Sequence, residues 1–354
     1  MKTIFKYRPL SEFLYKELYY NELYFASYKE LNDPLDLSAR IDFTPYESRS
    51  IEYLIWFLTK THFVHSDLNS QKNNLSFYNF TRNIDLKTKF LNLIYANMQN
   101  HLKTNKNIWV TDLVQIIELS IKKINYKIEF KPQLIYEKLE HLTTRFLKSS
   151  YVSCFSRTNK EYLMWSHYAS SHSGICLEFQ VDESMMLTFK LTINEKSNEI
   201  NFQKTINEYS QKIYTFKDKV IEVSYIDEQP YINFYEFAPV FENENDFDLI
   251  GLSKSWTHEY ANKLKKAFST KTNSWEYEKE MRAIQISFEE DKTPEERINH
   301  YPIEILKAIY FGVNTPENAK SRIFRIFENN AHVIEFYNAK LDGTKQIKFE
   351  KYGT

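Results

Sequence analysis

Glu276, Glu278 and Glu280 occupy alternate positions of STKTNSWEYEKEMRAI, residues 269–284. With a two-residue period they share one face with Arg282, while Trp275, Tyr277, Lys279 and Met281 share the other. Three carboxylates in a row repel one another and add nothing to a core. Such a row has chemical uses: it supplies a general base, holds a ribose hydroxyl, or ligates a metal. It equally fits a solvated edge strand in which Arg282 and Lys271 offset part of the charge. The bulky Trp275 and Tyr277 argue for firm anchoring.

Three further constellations carry chemistry. Arg8, ending the run KYR, has a fork suited to a phosphate or a carboxylate; a surface Arg paired with a structural acid is the plainer reading. In SCFS, Cys154 and Ser156 share a face. Ser156 falls at the strand end, where its hydroxyl either meets a ligand or caps a turn. Cys154 is a nucleophile only if His167 or His172 serves as its base; otherwise it is a small core residue. In EYLMWSHYASSHSG, a spacing of about 100° per residue puts Glu161, Trp165, Tyr168 and His172 on one helical face. That mixture suits a pocket wall, or an amphipathic helix whose polar tips find partners. Metal sites are not expected. His62 and His65 lack a ligand cluster, the histidines at 101, 141, 258, 300 and 332 lack ligand spacing, and magnesium on the Glu row lacks supporting acids from other elements.

Composition narrows the classes. The 46 basic and 47 acidic residues leave a net charge of -1, which weakens a nucleic-acid reading. Five glycines, at 174, 251, 312, 343 and 353, never cluster. That excludes a Walker loop and a Gly-rich dinucleotide turn, so any nucleotide is held by side chains and isolated turns. Cys154 and Cys176, expected on neighbouring core strands, point to a reducing compartment. The stretch MKTIFKYRPLSEFLYK has no apolar signal core, and no apolar run approaches the roughly 18–20 residues of a membrane span. A cytoplasmic protein without a membrane partner is the expectation.

The elements that must position these residues can be read in order. Residues 3–8 predict a strand. SEFLYKELYYNEL predicts a helix capped by Ser11, with Phe13, Leu14 and Leu18 apolar. LYFASYKELNDPLD predicts a strand, a connection and an Asn-Asp-Pro turn. Residues 50–148 predict several helices, as in the stripe Ile135, Leu139, Leu142, Phe146, with polar breaks at 66–74 and 101–107. Beyond 149 come the strand SYVSCFS, the helix around Trp165, the strands GICLEFQV and DKVIEVSYID, and a helix bearing Trp256, Tyr260, Leu264 and Phe268. The row of glutamates follows as a strand, then LKAIYFGVN, a helix begun by Pro316, HVIEFYNA and QIKFEKY. The fold class expected is α+β, a mixed, mainly antiparallel sheet with a large helical insertion. Its parts are 1–49 and 149–354 as the α/β core and 50–148 as the insertion or lid.

Five stretches, FKYRPL, LYFASYKELNDPLD, SCFSRTNKEYLMWSHYASSHSGICLEF, STKTNSWEYEKEMRAI and IYFGV, resemble in this order the widespread bacterial domain-of-unknown-function family 2971. The resemblance spans nearly the whole chain outside the helical block. It implies fold boundaries and candidate residues, and no settled activity; such proteins look like accessory components of bacterial stress or phage-response systems. The order Arg8, Ser156 at a strand end, and Glu278-Lys279-Glu280 opening an apolar strand is more distantly similar to the arginine-serine-glutamate class of ADP-ribosyltransferases. That similarity implies a cleft between two split antiparallel sheets that binds NAD without a Gly-rich loop. It implies that Glu280 holds a ribose hydroxyl and stabilises the positive charge left when nicotinamide departs. Arg8 would take a phosphate, Ser156 would support the ribose or the Glu, and Trp165 or Tyr168 would stack on nicotinamide. His172 and Lys271 complete the expected cofactor pocket, and Glu278 activates a macromolecular acceptor, protein or nucleic acid. The chain departs from that class in having one hydroxyl residue in CFSRT, and in the long interval between Arg8 and Ser156. Two other classes remain open: a magnesium-dependent nuclease or other phosphodiester enzyme using Glu276, Glu278, Glu280 and Lys271, and a non-enzymatic ligand-sensing or interaction module.

Overall fold

The structure, a computed structural model, describes residues 2–33, 35–37, 40–46, 50–52, 54, 83–124, 133, 136–137, 150–196, 209–228, 231–237, 262, 265–287 and 292–352. Two compact units emerge: Met1–Asp36 with Ser149–Glu228 and Ser269–Thr354, and Leu37–Lys148 with Gln229–Phe268. The strands, in chain order, are β1 (Lys2–Arg8), β2 (Glu22–Tyr24), β3 (Ala26–Ser27), β4 (Arg40–Asp42), β5 (Ser150–Ser156), β6 (Ile175–Val181), β7 (Met186–Lys196) and β8 (Tyr209–Glu222). They continue with β9 (Ser224–Ile226), β10 (Tyr231–Asn233), β11 (Thr270–Thr272), β12 (Glu280–Ile286), β13 (Ile298–His300), β14 (Leu306–Phe311), β15 (Glu335–Leu341) and β16 (Ile347–Lys351).

The first unit is an α+β body on a 12-stranded sheet ordered β16-β15-β14-β6-β1-β5-β12-β8-β7-β13-β2, with β3 also on β5. The β14–β15 pair is parallel and the other pairs are antiparallel. Part of this sheet closes on itself. Only Phe25 separates β2 from β3, and its N–H donates to Arg297 O at 3.0 Å. Residues 22–27 therefore pair with β13 at one end and with β5 at the other. Pairing runs β5-β12-β8-β7-β13-β2/β3 and back to β5. Alternate side chains of these strands, among them Leu23, Phe25, Tyr151, Leu187, Phe189, Val220 and Met281, share one buried cluster, as a two-residue period requires.

β5 is where the closed part and the open arm meet. One edge pairs with β12 along its whole length, Glu280↔Ser156 to Ile286↔Ser150. Its other edge is divided between β1, at Phe5↔Ser156, and β3, at Ala26↔Val152 and Ser27↔Tyr151. Between those contacts β1 and β3 fork apart.

Helix Glu12–Tyr20 starts as expected: Leu14 N–H donates to Ser11 Oγ at 3.1 Å. Leu14 and Leu18 are buried, while Phe13 faces solvent. Helix Glu317–Phe327 follows Pro316. Two strand expectations are corrected. Cys154 and Cys176 are not on neighbouring strands, because β1 lies between β5 and β6. Residues 269–284 are not one strand: Asn273–Glu278 forms a 3-10 turn between β11 and β12.

In the second unit, helices Ile84–His101 and Val110–Ile124 pack through Phe90, Ile94 and Met98 against Leu113, Ile117, Ile121 and Ile124, a helical 3–4 spacing. The expected break at 101–107 lies between them. The stripe Ile135, Leu139, Leu142, Phe146, the break at 66–74, His62, His65, His141, His258 and the stripe Trp256, Tyr260, Leu264 lie outside the described residues. No helix among the described residues is long and apolar enough to cross a membrane.

Candidate functional site

Five charges meet in the first unit. Arg282 is fully buried. Its Nε donates to Glu280 Oε1 at 2.8 Å and its Nη2 to Glu280 Oε2 at 2.9 Å. The same guanidinium forks onto Asp36, Nη1 to Oδ1 at 2.6 Å and Nη2 to Oδ2 at 2.7 Å. Lys271 Nζ lies 3.2 Å from Asp36 Oδ2, 2.7 Å from Glu278 Oε2 and 2.9 Å from Glu280 Oε2, and 5.1 Å from the Trp275 ring centroid. Its ammonium thus stands among the three carboxylates where a cation would bind. Among the described residues no group of three His, Cys, Asp or Glu side chains is arranged to hold a metal ion.

Three carboxylates against two cations leave one surplus negative charge, and the surplus falls on Glu278. Burial alone would raise Glu280, but Arg282 and then Lys271 outweigh it and hold that carboxyl well below the usual range. Burial also opposes the charge on Lys271, and Glu280 and Asp36 hold it well above the usual lysine range. For Glu278, burial is the leading effect; Lys271 opposes it, Glu280 reinforces it, and the carboxyl is pushed up to about 6. Capacity differs as well. An ionised carboxylate offers about four acceptor sites. Glu280 spends three on Arg282 and Lys271 and takes a further hydrogen bond from Cys154. Glu278 spends one on Lys271 and one on the Tyr168 hydroxyl.

The local sequence explains the placement. Lys279 adopts a left-handed φ of 46°, turning the chain from the 3-10 segment into β12, so Glu278 and Glu280 reach the cluster from different backbone settings. The Ser156 hydroxyl donates to the Glu278 backbone carbonyl at 2.7 Å and pins that turn to the end of β5. Ser156 is fully buried and positions the glutamate. Asp36 arrives through a turn that begins at Asp33: Leu35 N–H donates to Asp33 Oδ1 at 2.9 Å and Asp36 N–H to Asp33 O at 3.0 Å. That turn also presents Asn32, whose Nδ2 donates to the Tyr168 hydroxyl at 2.8 Å.

A cavity of about 260 Å³ opens at the fork of β1 and β3. Lys6, Arg8, Ser156, Tyr168, Lys271, Glu278 and Glu280 line it, with Asn32 and Asp36, and Phe5, Phe155 and Met164 supply apolar wall. Six of the eight residues expected at a nucleotide site are therefore together. Trp165 and His172 are elsewhere. Trp165 is fully buried, its Nε1 donating to Asn159 O at 2.7 Å and its ring edge-on to Tyr7 at 5.2 Å. The helix ends at Tyr168, and Ser170, Ser171 and His172 follow with positive φ, so helical projection stops applying before His172. Gly174 then brings β6 against β1; a Cβ there would lie 2.3 Å from Arg8 O. Glu276 is exposed, outside the cluster. Burial, then Glu280, pushes the Cys154 thiol well up, and neither His167 nor His172 lines the cavity, so no thiolate is prepared there. Asp36, Asn32 and Lys6 were not singled out in the sequence; the turn NDPLD and the alternation Lys6, Arg8 were their visible signals.

The raised Glu278 has a measurable signature. A folded pKa of about 6 against an ordinary 4.5 favours the folded state most below pH 4.5, and that advantage is lost as pH rises through 6. Relative to wild type, Glu278→Gln is expected to gain about 2 kcal/mol between pH 4.5 and pH 7. Urea unfolding of both proteins across that range checks it; parallel pH profiles would refute it.

Comparison with known proteins adds one finding. No curated protein and no solved structure matches the chain, and none of the comparisons returns an ADP-ribosyltransferase. The matching segment is narrower than the five stretches suggest: β1, LYFASYKELNDPLD, all of β5 and IYFGV lie outside it. Residues 164–283, which carry Tyr168, Lys271, Glu278, Glu280 and Arg282, match a domain family described as a protein of unknown function, DUF2971.

Proposed function

We propose that the cavity binds the ribosyl part of a nucleotide, NAD foremost, and that the protein transfers or hydrolyses that ribosyl group in the manner of an ADP-ribosyltransferase. One observation carries the proposal: Arg8, Ser156, Glu278 and Glu280, from three adjacent strands and one turn, line one cavity, and Glu278 is poised near 6.

The chemistry follows from the charges. As nicotinamide leaves, positive charge develops on the ribose, and the surplus negative charge of this wall stabilises it. Glu278, ionised above about pH 6 and with acceptor sites to spare, takes the proton from the attacking hydroxyl or amine of the acceptor. The new bond forms at the ribose carbon that nicotinamide vacates. Glu280, saturated by its partners, holds Arg282 and Lys271 in place. The role of meeting the substrate thus passes from Glu280 to Glu278. The cavity is smaller than the ~300–1,000 Å³ of a drug-sized ligand site, so it suits one ring system and its ribose, with the remainder of a dinucleotide outside.

A magnesium-dependent phosphodiester enzyme is disfavoured by Lys271, whose ammonium fills the space between the carboxylates. The deciding experiment incubates the protein with NAD labelled in nicotinamide or in adenine, alone and with protein or nucleic-acid acceptors. Nicotinamide release without added magnesium is the expected result. Absence of release under all acceptor conditions, or magnesium-dependent cleavage of nucleic acid without NAD, would reject the proposal.

A further inference from the structure

The cavity contains two lysines in opposite circumstances. Lys271 is surrounded by three carboxylates. Lys6 contacts none among the described residues: its Nζ donates to Ser153 Oγ at 2.9 Å and to Cys154 O at 3.0 Å, and lies 5.0 Å from the Phe155 ring centroid. An ammonium has three donors, and among the described residues nothing accepts the third. Arg8 lies two positions along β1, so the two side chains leave the strand on the same face. Both line the cavity. Arg8 gives Nη2 to both oxygens of Glu17, at 2.5 and 2.6 Å, while its Nε is buried without a partner.

Glu17 thus pairs with Arg8 and not with Lys6, and each cation keeps a donor that nothing among the described residues satisfies. The surplus carboxylate, Glu278, lines the same cavity. A buried donor without an acceptor is costly, and two neighbouring cations repel. Burial, then Arg8, pushes Lys6 down to about 8, the direction expected of an ammonium short of counter-charge. An anion between Lys6 and Arg8 would accept both donors and relieve the repulsion.

We propose that Lys6 Nζ and Arg8 Nε form an anion seat that takes a phosphate group of the ligand, with Lys6 as the principal cation. Arg8, expected from sequence to hold the phosphate, gives Nη2 to Glu17 and contributes its buried Nε. The ligand is then a phosphorylated sugar or nucleotide, oriented with its phosphate at the fork of β1 and β3 and its ribose toward Glu278. The seat does not depend on glycosyl transfer; only the choice of nucleotide probe rests on that reading.

Two arms test it. In the first, wild-type protein is acetylated at pH 8 with and without inorganic pyrophosphate, and modification of Lys6 and of exposed Lys348 is followed by peptide mass spectrometry. Pyrophosphate is expected to slow acetylation at Lys6 by about tenfold and to leave Lys348 unchanged. In the second, binding of nicotinamide mononucleotide and of nicotinamide riboside, which lacks the phosphate, is measured by calorimetry. Wild type is expected to prefer the mononucleotide by about tenfold or more, and Lys6→Met to reduce that ratio to near one. No protection of Lys6, or a phosphate preference undiminished in a folded Lys6→Met variant, would overturn the seat. Protection of Lys6 without any nicotinamide release from NAD would leave the seat standing and remove the glycosyl-transfer proposal. Nicotinamide release with unprotected Lys6 would do the reverse.

Discussion

Arg282→Met is expected to lower the unfolding free energy by about 3–5 kcal/mol, the cost of removing one partner from a buried ion-pair network. The guanidinium is fully buried and forks onto both Asp36 and Glu280. Without it, Lys271 alone faces three carboxylates, and the cluster carries a surplus of two negative charges. Methionine fills much of the volume, so the loss is electrostatic and not a cavity effect. Arg282→Lys is expected to rescue little, because an ammonium cannot fork onto two carboxylates at once. Urea unfolding of the full chain at pH 7 measures this. A loss below about 1 kcal/mol, the scale of an exposed pair, would mean that water reaches the cluster freely.

Glu278→Gln is expected to move activity and stability in opposite directions. Removing a positioned general base typically costs 10²–10⁴-fold in rate, so nicotinamide release should fall by about that factor. The same change removes the surplus charge and gives the pH-dependent gain in stability described above. A residue kept at a cost to the fold because chemistry needs it behaves this way. Glu280→Gln is the control. It leaves two carboxylates with two cations, so the cluster stays balanced, and any loss of rate comes through misplacement of Lys271 and Glu278. Full activity in Glu278→Gln with loss only in Glu280→Gln would return the catalytic role to Glu280.

Much of this site could be read from local signals. Ser156 at a strand end, the turn begun by Asp33, Ser11 as a helix cap and Gly174 after a short helix each depend on a few neighbouring residues, and each stands as expected. The glutamate row could not be read that way. From Trp275 to Arg282 the residues alternate as a strand would, yet Asn273–Glu278 coils into a 3-10 turn and Lys279 turns left-handed. Tertiary partners decide this: the Ser156 hydroxyl on the Glu278 carbonyl and Trp275 over Lys271. Asp36 was equally hidden, because its partner Arg282 is remote in sequence and only the closed ring of strands brings them together. Lys6 carries no signal in sequence beyond its alternation with Arg8, and its place in the cavity depends on the fork between β1 and β3.

The division of β5 also bears on how the chain is made. β1 lies between β5 and β6, with Lys2 opposite Val181 and Arg8 opposite Ile175, so neither neighbour exists when β1 leaves the ribosome. At about 5–20 residues per second, roughly 10–30 s pass before β6 is synthesised. Throughout that interval β1 lacks its β6 partner, and Lys2, Lys6 and Arg8, three like charges on one face of the strand, discourage it from pairing with another copy. The positive charges that await an anion in the finished protein also keep the nascent strand solitary, so Lys6→Met is expected to leave more of the newly made chain in aggregates even where the folded product is stable.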